Sequence, residues 1–244
     1  MELGIEETAR RLDAEFVCVL YDADVDKYYA ARDPVGIRPM FYGHASDGKI
    51  MFASEMKALS ELCEDVKPFP PGYIYDGEQF KCYTDIAAVE EYVDHEMEEV
   101  YEHINDLLTK GVEKRLHADV PVGFLLSGGL DSSLVCAIGQ RVMDKPIRTF
   151  AVGIDKDPID TKYARVVADY LGADHSEVLF TKQDIFDTLS TLIYNLETYD
   201  ITTIRASMGM FLVSKYVAEN TDIKVLMTGG KNYCTGISVN QVLE

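Results

Sequence analysis

The chain has 244 residues, of which 47% are hydrophobic and 27% are charged, so it is long enough for two small domains with hydrophobic cores. Its net charge of −19 opposes the binding of nucleic acid and of anionic membrane surfaces, and no apolar run approaches the ~20 residues that span a bilayer. The acidic N-terminus lacks the apolar segment of a signal peptide, and the five widely spaced cysteines include no C-x-x-C pair, which indicates a cytoplasmic protein with reduced thiols.

The first third of the chain is predicted to form antiparallel β-structure. Short apolar segments alternate with turn sequences such as Ser46-Asp47-Gly48 and Asp76-Gly77, a pattern typical of hairpins. We expect strands at 14–21, 27–31, 40–43, 49–53, 73–75 and 79–83.

From residue 91 onward the pattern changes to helices alternating with strands. Apolar residues at steps of three and four predict a helix over 91–116, which we expect to join two domains. The sequence then predicts strands at 120–126, 147–152, 175–179 and 223–227, and helices at 130–143, 161–171, 185–197 and 206–218. Such alternation indicates an α/β fold, a mostly parallel sheet with helices on its faces.

A glycine-rich segment lies where the strand at 120–126 meets the following helix. It reads SGGLDSS over 127–133, and ligands of open α/β sheets bind at the carboxyl ends of strands. Two glycines permit a tight turn and a close approach of the backbone to a ligand, while the start of the helix offers free N–H groups. With the serine hydroxyls as further donors, the segment is predicted to bind phosphate without a basic side chain.

Asp131 distinguishes this segment from the common P-loop. That motif requires G-x-x-x-x-G-K-[ST], whereas no lysine follows the glycines here. A carboxylate so close to phosphate would be repelled unless it capped backbone N–H groups or helped to hold Mg²⁺. The residue types alone are equally compatible with a Gly-Gly turn whose Ser and Asp side chains cap a helix.

The whole string SGGLDSS, placed after an apolar strand, resembles the loop of the ATP pyrophosphatases, which adenylate a carboxylate or similar oxygen and release pyrophosphate. Within that group, ETYDITTIRAS over 197–207 and FAVG over 150–153 resemble asparagine synthetase. The resemblance implies ATP and Mg²⁺ as cofactors, with Asp131 reaching the metal through magnesium pyrophosphate. It places Thr202, Thr203 and Arg205 on the aspartate side. The implied nucleotide-binding residues are Leu125, Ser127, Gly128, Gly129, Leu130, Asp131, Ser132, Ser133, Val152 and Gly229.

The N-terminal part resembles the second half of a class II glutamine amidotransferase domain of the N-terminal-nucleophile type. The resemblance rests on RDPVGIRP over 32–39 and FASEMKAL over 52–59. It implies that Asp33 binds the α-amino group of glutamine, as a carboxylate pairs with an ammonium. The alternative for Asp33 is a turn residue before Pro34.

The resemblance also implies a domain plan and a reaction. The plan is a partial amidotransferase domain over 1–85, a connecting helix over 86–118, an incomplete ATP-binding synthetase domain over 119–229 and a divergent tail over 230–244. Glutamine hydrolysis in the first domain supplies ammonia. In the second domain ATP converts aspartate into β-aspartyl-AMP, and ammonia displaces AMP to give asparagine. The expected partners are thus ATP, aspartate and glutamine or ammonia, with a homodimer or completion by another chain left open.

The chain departs from the family pattern in two places. The family begins its mature chain with a nucleophilic cysteine, whereas Glu2 follows Met1 here, and Cys18 is expected to be a core thiol. No catalytic residue is therefore assigned. After Gly229 the family continues with S-G-E-G-S-D-E, whereas this chain reads GKNYCTG over 230–236. We expect no glutaminase activity and little or no synthetase activity from the chain alone, as for a truncated or frameshifted gene product.

Two other interpretations stay open at this point. A different amidotransferase-linked ATP pyrophosphatase, such as a β-lactam synthetase-like enzyme, would share the loop, although ETYDITTIRAS argues against it. A non-catalytic ATP-binding remnant would retain the loop without turnover. The histidines at 95, 103, 117 and 175 form no triad with Ser or Cys and are expected on the surface or on helices.

Overall fold

The computed structural model of the chain describes residues 3–88, 91–92, 94–154 and 159–229. These residues form two compact units, with the boundary between residues 93 and 94. Met1, Glu2 and the tail over 230–244, on which several of the expectations above rest, lie outside the described residues. In the part of the chain that is described, no helix combines the length and the apolar character needed to cross a membrane.

The first unit contains one helix and two antiparallel sheets. Its elements are α1 (Gly4–Arg11), β1 (Val17–Asp22), β2 (Lys27–Arg32), β3 (Phe41–His44), β4 (Ile50–Ala53), a 3₁₀ turn (Met56–Ala58), β5 (Lys67–Pro68), β6 (Tyr73–Tyr75) and β7 (Phe80–Cys82). One sheet has the order β1-β2-β6-β7 and the other β4-β3-β5. The expected hairpins are confirmed, since β1 pairs with β2, β3 with β4 and β6 with β7 in antiparallel register.

Alternation along β2 divides the core of this unit into two layers. Ala30 is buried with Met40 and Phe69 between the two sheets, where aromatic rings pack, for example Tyr42 against Phe80 at 4.6 Å between ring centroids. The neighbouring Ala31 points to the opposite face of its sheet and is buried in the cluster that contains Ala9 of α1.

Three elements of the first unit were not predicted, one of them the 3₁₀ turn at Met56–Ala58. Helix α1 buries only Ala9, and its charged residues pair along one face as Arg10 with Glu6 and Arg11 with Glu7. Its apolar face is short, with Ile5 and Ala9 one turn apart against the cluster that contains Ala31, so the periodic pattern covers too few residues to mark a helix in the sequence. Strand β5 has only two residues, too few to show any alternation.

The second unit is a parallel sheet covered by helices on both faces. Its elements are α2 (Met97–Leu116), β8 (Val122–Leu125), α3 (Leu130–Val142), β9 (Arg148–Ile154), α4 (Ile159–Leu171), β10 (Asp174–Phe180), α5 (Lys182–Leu196), α6 (Ile201–Asn220) and β11 (Val225–Met227). The order is β10-β9-β8-β11, and every neighbouring pair is parallel. The predicted α/β class is confirmed.

The sheet separates two hydrophobic clusters. Phe124 of β8 is fully buried with residues of α2, α3 and α4 on one face, and Phe150 of β9 is buried with Val213 and Val217 of α6 on the other. The N-terminal boundary predicted for α2 was wrong, because among the described residues the helix begins at Met97 rather than at 91. The acidic residues that precede Met97 place like charges where a longer first turn would crowd them.

Candidate functional site

The glycine-rich loop connects β8 to α3 in the middle of the sheet. From β8 the chain adds β9 and then β10 on one side of the sheet. It then crosses back and adds β11 on the other side of β8. The carboxyl ends of β8 and β11 therefore flank the point where the strand order reverses, the usual ligand position in such sheets. The loop is tied to the sheet by the Leu126 N–H, which donates to the carbonyl of Phe150 at 2.9 Å.

A pair of serine hydroxyls closes the loop on itself. The Oγ atoms of Ser127 and Ser132 lie 3.0 Å apart, and the Ser127 N–H donates to Ser132 Oγ at 3.3 Å. The hydroxyls of Ser132 and Ser133 both donate to the carbonyl of Gly129, at 3.2 and 2.7 Å. These bonds hold the loop and the first turn of α3 in one shape before any ligand arrives.

The two glycines of the loop have different surroundings. Gly128 has φ +79°, and a Cβ there would lie 2.5 Å from the carbonyl carbon of Tyr163 and 2.6 Å from the nitrogen of Ala164, both in the backbone of α4. Gly129 caps α3 at ordinary dihedrals, φ −75° and ψ 164°, and a Cβ there would meet only Ser127 Oγ at 3.5 Å. Packing within the protein thus requires glycine at 128, whereas position 129 borders open space at the start of a helix.

Gly229 belongs to the same cluster of backbone. It follows β11, and a Cβ on it would lie 2.6 Å from the carbonyl oxygen of Asp131 and 2.8 Å from the nitrogen of Ser132. The turn after β11 therefore packs directly on the first turn of α3. The structure brings Gly229 against the 127–133 loop although nearly a hundred residues separate them in the sequence.

The apolar residues proposed to contact a nucleotide lie beside the loop. Leu125 and Val152 both pack on the cluster beneath α6 and hence share one face of the sheet. Leu130 is 74% exposed, which leaves its side chain free for contact.

Asp131 does not cap helix α3. The N-cap position is Gly129, and the exposed Asp131 carboxylate has no hydrogen bond or ion pair with any described residue. Within the described ranges no group of three His, Cys, Asp or Glu side chains is arranged to hold a metal ion. The capping role considered for this carboxylate is thus not seen, and its contact with Mg²⁺ stays a prediction.

The helices predicted at 185–197 and 206–218 left the residues between them as a loop, but most of those residues are helical in the structure. Helix α6 begins at Ile201 rather than at 206, so Thr202, Thr203 and Arg205 lie in its first two turns. Asp200 caps the helix, because its carboxylate accepts the Thr203 N–H at 2.7 Å. Hydrogen bonding from the Thr203 side chain and then from the Thr203 N–H holds the pKa of this carboxyl below its usual value. The β-branched run Ile201-Thr202-Thr203-Ile204 concealed the helix from propensity reasoning.

A cavity of about 650 Å³ opens at the carboxyl ends of β9 and β10, under the hairpin of α5 and α6. Val152 and Arg205 both line it, which brings together two residues predicted for the nucleotide and aspartate sides; Thr202 and Thr203 are not among its lining residues. Its apolar walls, which include Ile185, Leu189 and Ile193, were missed by the sequence analysis. Their spacing of four indicates only the buried face of a helix.

Asp33 lies in the first unit and is 1% exposed. Its Oδ1 accepts the N–H groups of Val35, Gly36 and Ile37 at 2.7–3.1 Å, and its Oδ2 accepts that of Arg38 at 3.2 Å. Asp33 therefore shapes the turn that follows it, as in the structural alternative, and its contact with glutamine stays a prediction.

Two thiols, one half-buried and one buried, behave as core residues. Cys18 lies half-buried on β1, where burial raises the pKa of its thiol. Cys136 is buried in α3, and burial raises its thiol pKa to about 12. A thiol held protonated in this way is a poor nucleophile.

The sequence analysis expected His175 on the surface or on a helix, but it lies half-buried on a strand. It is on β10 with Nδ1 2.8 Å from Thr149 Oγ1, and its buried Nε2 has no hydrogen-bond partner in the described part of the chain. Burial is the largest cause that lowers the pKa of this imidazole. Both residues lie at the amino ends of their strands, away from the loop.

Comparison with known proteins gives matches over both units. The asparagine synthase family matches residues 103–230, and the glutamine amidotransferase domain family matches residues 1–111. Asparagine synthetase [glutamine-hydrolyzing] 2 of Arabidopsis thaliana is 42% identical over 236 residues, which cover 92% of this chain and 40% of the relative. The human asparagine synthetase is 38% identical over 258 residues, covering 93% and 46%. The chain thus spans less than half the length of these curated relatives.

Among solved structures, the glutamine-dependent NAD+ synthetase of Acinetobacter baumannii in complex with ADP covers 82% of this chain and 39% of its own. It is 18% identical, with a TM-score of 0.40.

Proposed function

The chain belongs to the asparagine synthase family, and on that premise we propose that its second unit binds ATP at residues 127–133 and activates the side-chain carboxylate of aspartate. The observation that carries the proposal is the open space beside Gly129 at the start of α3, in a loop whose other contacts are already made by the protein. Helix starts of this kind bind anions through free N–H groups and the helix dipole.

The proposed placement of ATP follows from the residues around the loop. The phosphates would lie against the backbone of Ser127, Gly128 and Gly129, with the hydroxyls of Ser132 and Ser133 at the base of the loop. The adenine would pack on Leu125 and Val152, which share one face of the sheet. Leu130 and Gly229 would border the same space from α3 and from the turn after β11.

The proposed reaction transfers an adenylyl group. An aspartate carboxylate oxygen attacks the α-phosphorus, the bond from that phosphorus to the pyrophosphate oxygen breaks, and β-aspartyl-AMP forms. Negative charge grows on the departing pyrophosphate, where the N–H groups at the start of α3 stabilise it without reorganisation. Ammonia then attacks the acyl carbon, and AMP leaves with the bonding electron pair. We place Thr202, Thr203 and Arg205, which lie in the first turns of α6, on the side of the site that binds aspartate.

Mg²⁺ fits this site as a partner of the phosphates. The exposed Asp131 carboxylate has no other partner among the described residues, and Mg²⁺ is commonly held by one or two carboxylates together with substrate phosphates. When bound, the ion would neutralise phosphate charge. Asp131 would then hold it on the side of the leaving pyrophosphate.

The first unit is proposed to be the ammonia-supplying part, in line with the amidotransferase domain family that matches residues 1–111. There Asp33 would bind the glutamine α-amino group. The proposed domain plan is an amidotransferase part over 1–85, a connecting helix over 86–118 and a synthetase part over 119–229.

Exchange of labelled pyrophosphate into ATP tests the proposal on the full chain. We expect slow exchange that depends on aspartate, in line with the little synthetase activity expected of the chain alone, and we expect Asp131→Asn to lower it about tenfold or more. Asp144→Asn, an exposed aspartate after α3, serves as the matched control and should leave exchange unchanged. Exchange stimulated by another carboxylate in place of aspartate would point to a different ATP pyrophosphatase.

Isothermal titration with ATP separates catalysis from binding alone. ATP binding without any exchange would favour a non-catalytic ATP-binding protein, and the absence of both would overturn the proposal. Repeating the exchange measurement in the presence of a full-length asparagine synthetase tests whether another chain completes the site.

A further inference from the structure

Helix α4 carries an apolar stripe on its outer face. Tyr163, Val166 and Tyr170 are 58%, 63% and 88% exposed, and their steps of three and four place them along one side of the helix. The opposite side of the helix is fully buried at Ala164 and Ala168, which belong to the core of the second unit. The stripe is therefore not part of that core, and the described residues leave it uncovered.

Two charges of opposite sign lie along the same face. Lys162 and Asp169 are exposed, and the side chain of neither makes an ion pair or hydrogen bond with another described residue. Seven residues separate them, about 10 Å along the helix axis, so they are too far apart to pair with each other. By contrast, Arg165 on the flank nearest β10 pairs with Glu177 at 2.8 Å.

We propose that this face of α4 binds the same face of a second copy of the chain, with the two helices antiparallel about a two-fold axis at Val166. Lys162 of each copy then faces Asp169 of the other, Tyr163 faces Tyr170, and Val166 meets its own equivalent. These pairings share one centre to within half a residue. The face is thus complementary to itself in both charge and apolar character.

The two sides of the stripe agree with this symmetry. At about 100° per residue, both tyrosines lie on one side of Val166, and Lys162 and Asp169 lie on the other. A two-fold axis that crosses two antiparallel helices brings like sides together, so tyrosine meets tyrosine and each charge meets its opposite. A parallel pair would instead set the tyrosines against the charged side.

The contact is small, which determines how tight the dimer should be. About two helical turns bury less surface than the ~1,600 Å² of a standard interface, and each copy carries a net charge of −19 that repels the other. We therefore expect a reversible dimer with a micromolar or weaker dissociation constant. None of these side chains is assigned to ATP or aspartate above, so this proposal and the proposed reaction can fail separately.

Sedimentation velocity of the full chain at about 1 to 500 µM, in about 150 mM NaCl to shorten the long-range repulsion, tests the proposal. We expect monomer to be replaced by dimer as the concentration rises. Tyr170→Ala should weaken dimerisation about tenfold or more, because it removes an apolar contact twice per dimer. A chain that stays monomeric throughout, or a dimer that Tyr170→Ala leaves unchanged, would overturn the proposal.

A charge exchange tests the antiparallel arrangement. Lys162→Glu alone should weaken dimerisation about tenfold or more, because like charges then face each other across the contact. Combining it with Asp169→Lys should restore the dissociation constant to within about threefold of that of the parent chain. Lys215→Glu makes the same charge change on α6, on the other face of the sheet, and should leave dimerisation nearly unchanged. Failure of the double variant to restore the dimer, or an equal loss in Lys215→Glu, would contradict the assignment.

Discussion

Gly128 and Gly129 are neighbours in the loop, but the protein needs glycine at them for different reasons. At 128 both the positive φ and the backbone of α4 exclude a side chain, so Gly128→Ala should destabilise the fold by about 1–3 kcal/mol. At 129 the dihedrals suit alanine and the space is open, so Gly129→Ala should keep the thermal midpoint within a few degrees while weakening ATP binding about tenfold or more. Thermal unfolding and ATP titration of both variants check this. Unweakened ATP binding by Gly129→Ala would argue against a close approach of phosphate there.

His175 should make the stability of the chain depend on pH. Its pKa is lowered in the folded state, chiefly by burial, so the unfolded chain binds the proton more readily. The free energy of unfolding should therefore fall as pH drops below about 6.5, the ordinary value, until the folded pKa is passed. Arg165 also lowers this pKa, whereas Glu177, Asp169 and Asp174 oppose the shift.

Denaturant titrations between about pH 5 and 8 measure how the free energy of unfolding changes with pH. His175→Gln should reduce the pH dependence of the unfolding free energy, and His103→Gln, which removes an exposed histidine from α2, is the matched comparison. An equal slope in His175→Gln and the parent chain would show that other groups carry the pH dependence.

The structural environment of some residues could be predicted from the neighbouring sequence, and that of others could not. The loop could be predicted because a local string specifies its glycines and serines. The environments of Gly128 and His175 could not, since one depends on the path of α4 and the other on the register between β9 and β10. The same holds for Asp33, whose four N–H donors belong to a turn that the sequence indicated only through Pro34.

At the level of elements, the start of α6 depends on its cap. Asp200 accepts the Thr203 N–H, so Asp200→Ala should cost about 1 kcal/mol and should loosen the first two turns, where Thr202 and Arg205 lie. Glu219→Ala on the last turn of the same helix is the matched control and should be neutral or slightly stabilising, because an acid at a helix C-terminus opposes the dipole. Urea denaturation of both variants measures the difference. A loss in Glu219→Ala as large as in Asp200→Ala would contradict the capping argument.

Helices and strands with a regular apolar pattern were predicted correctly. Helix ends that depend on a cap or on neighbouring charges were not. The strands β8 to β11 and the helices α3 to α5 appear close to their expected positions, because each buries a face with a regular apolar pattern. The start of α6 was missed because β-branched residues conceal a helix that an aspartate cap initiates. The length of α2 was overestimated because apolar spacing ignores the repulsion among acidic residues.

For the molecule as a whole, charge sets the salt dependence of nucleotide binding. The chain carries −19, and the loop sequence contains no lysine or arginine, so long-range repulsion opposes ATP. Raising NaCl from about 20 to about 200 mM shortens the range of that repulsion and should strengthen ATP binding severalfold. Titrations at constant free Mg²⁺ measure this. Weaker binding at high salt would indicate a cationic side chain at the phosphates.

The class of the fold was predictable because it follows from the order of helices and strands along the chain. Errors of a few residues in their boundaries do not change that order. The cavity was not, since its walls come from β9, β10, α5 and α6 and its shape depends on how closely α6 approaches the sheet at Gly209. Its apolar residues resemble those of an ordinary core in every local respect.

The pairing of β11 with β8 has a consequence for how the protein matures on the ribosome. Val122 and Val225 are partners in the sheet, so the strand that carries Gly229 emerges roughly a hundred residues after the loop that it supports. During synthesis β8, β9 and β10 can assemble as each emerges, but the central strand keeps one open edge until β11 is released. A nascent chain halted before that strand would expose the loop with one wall absent.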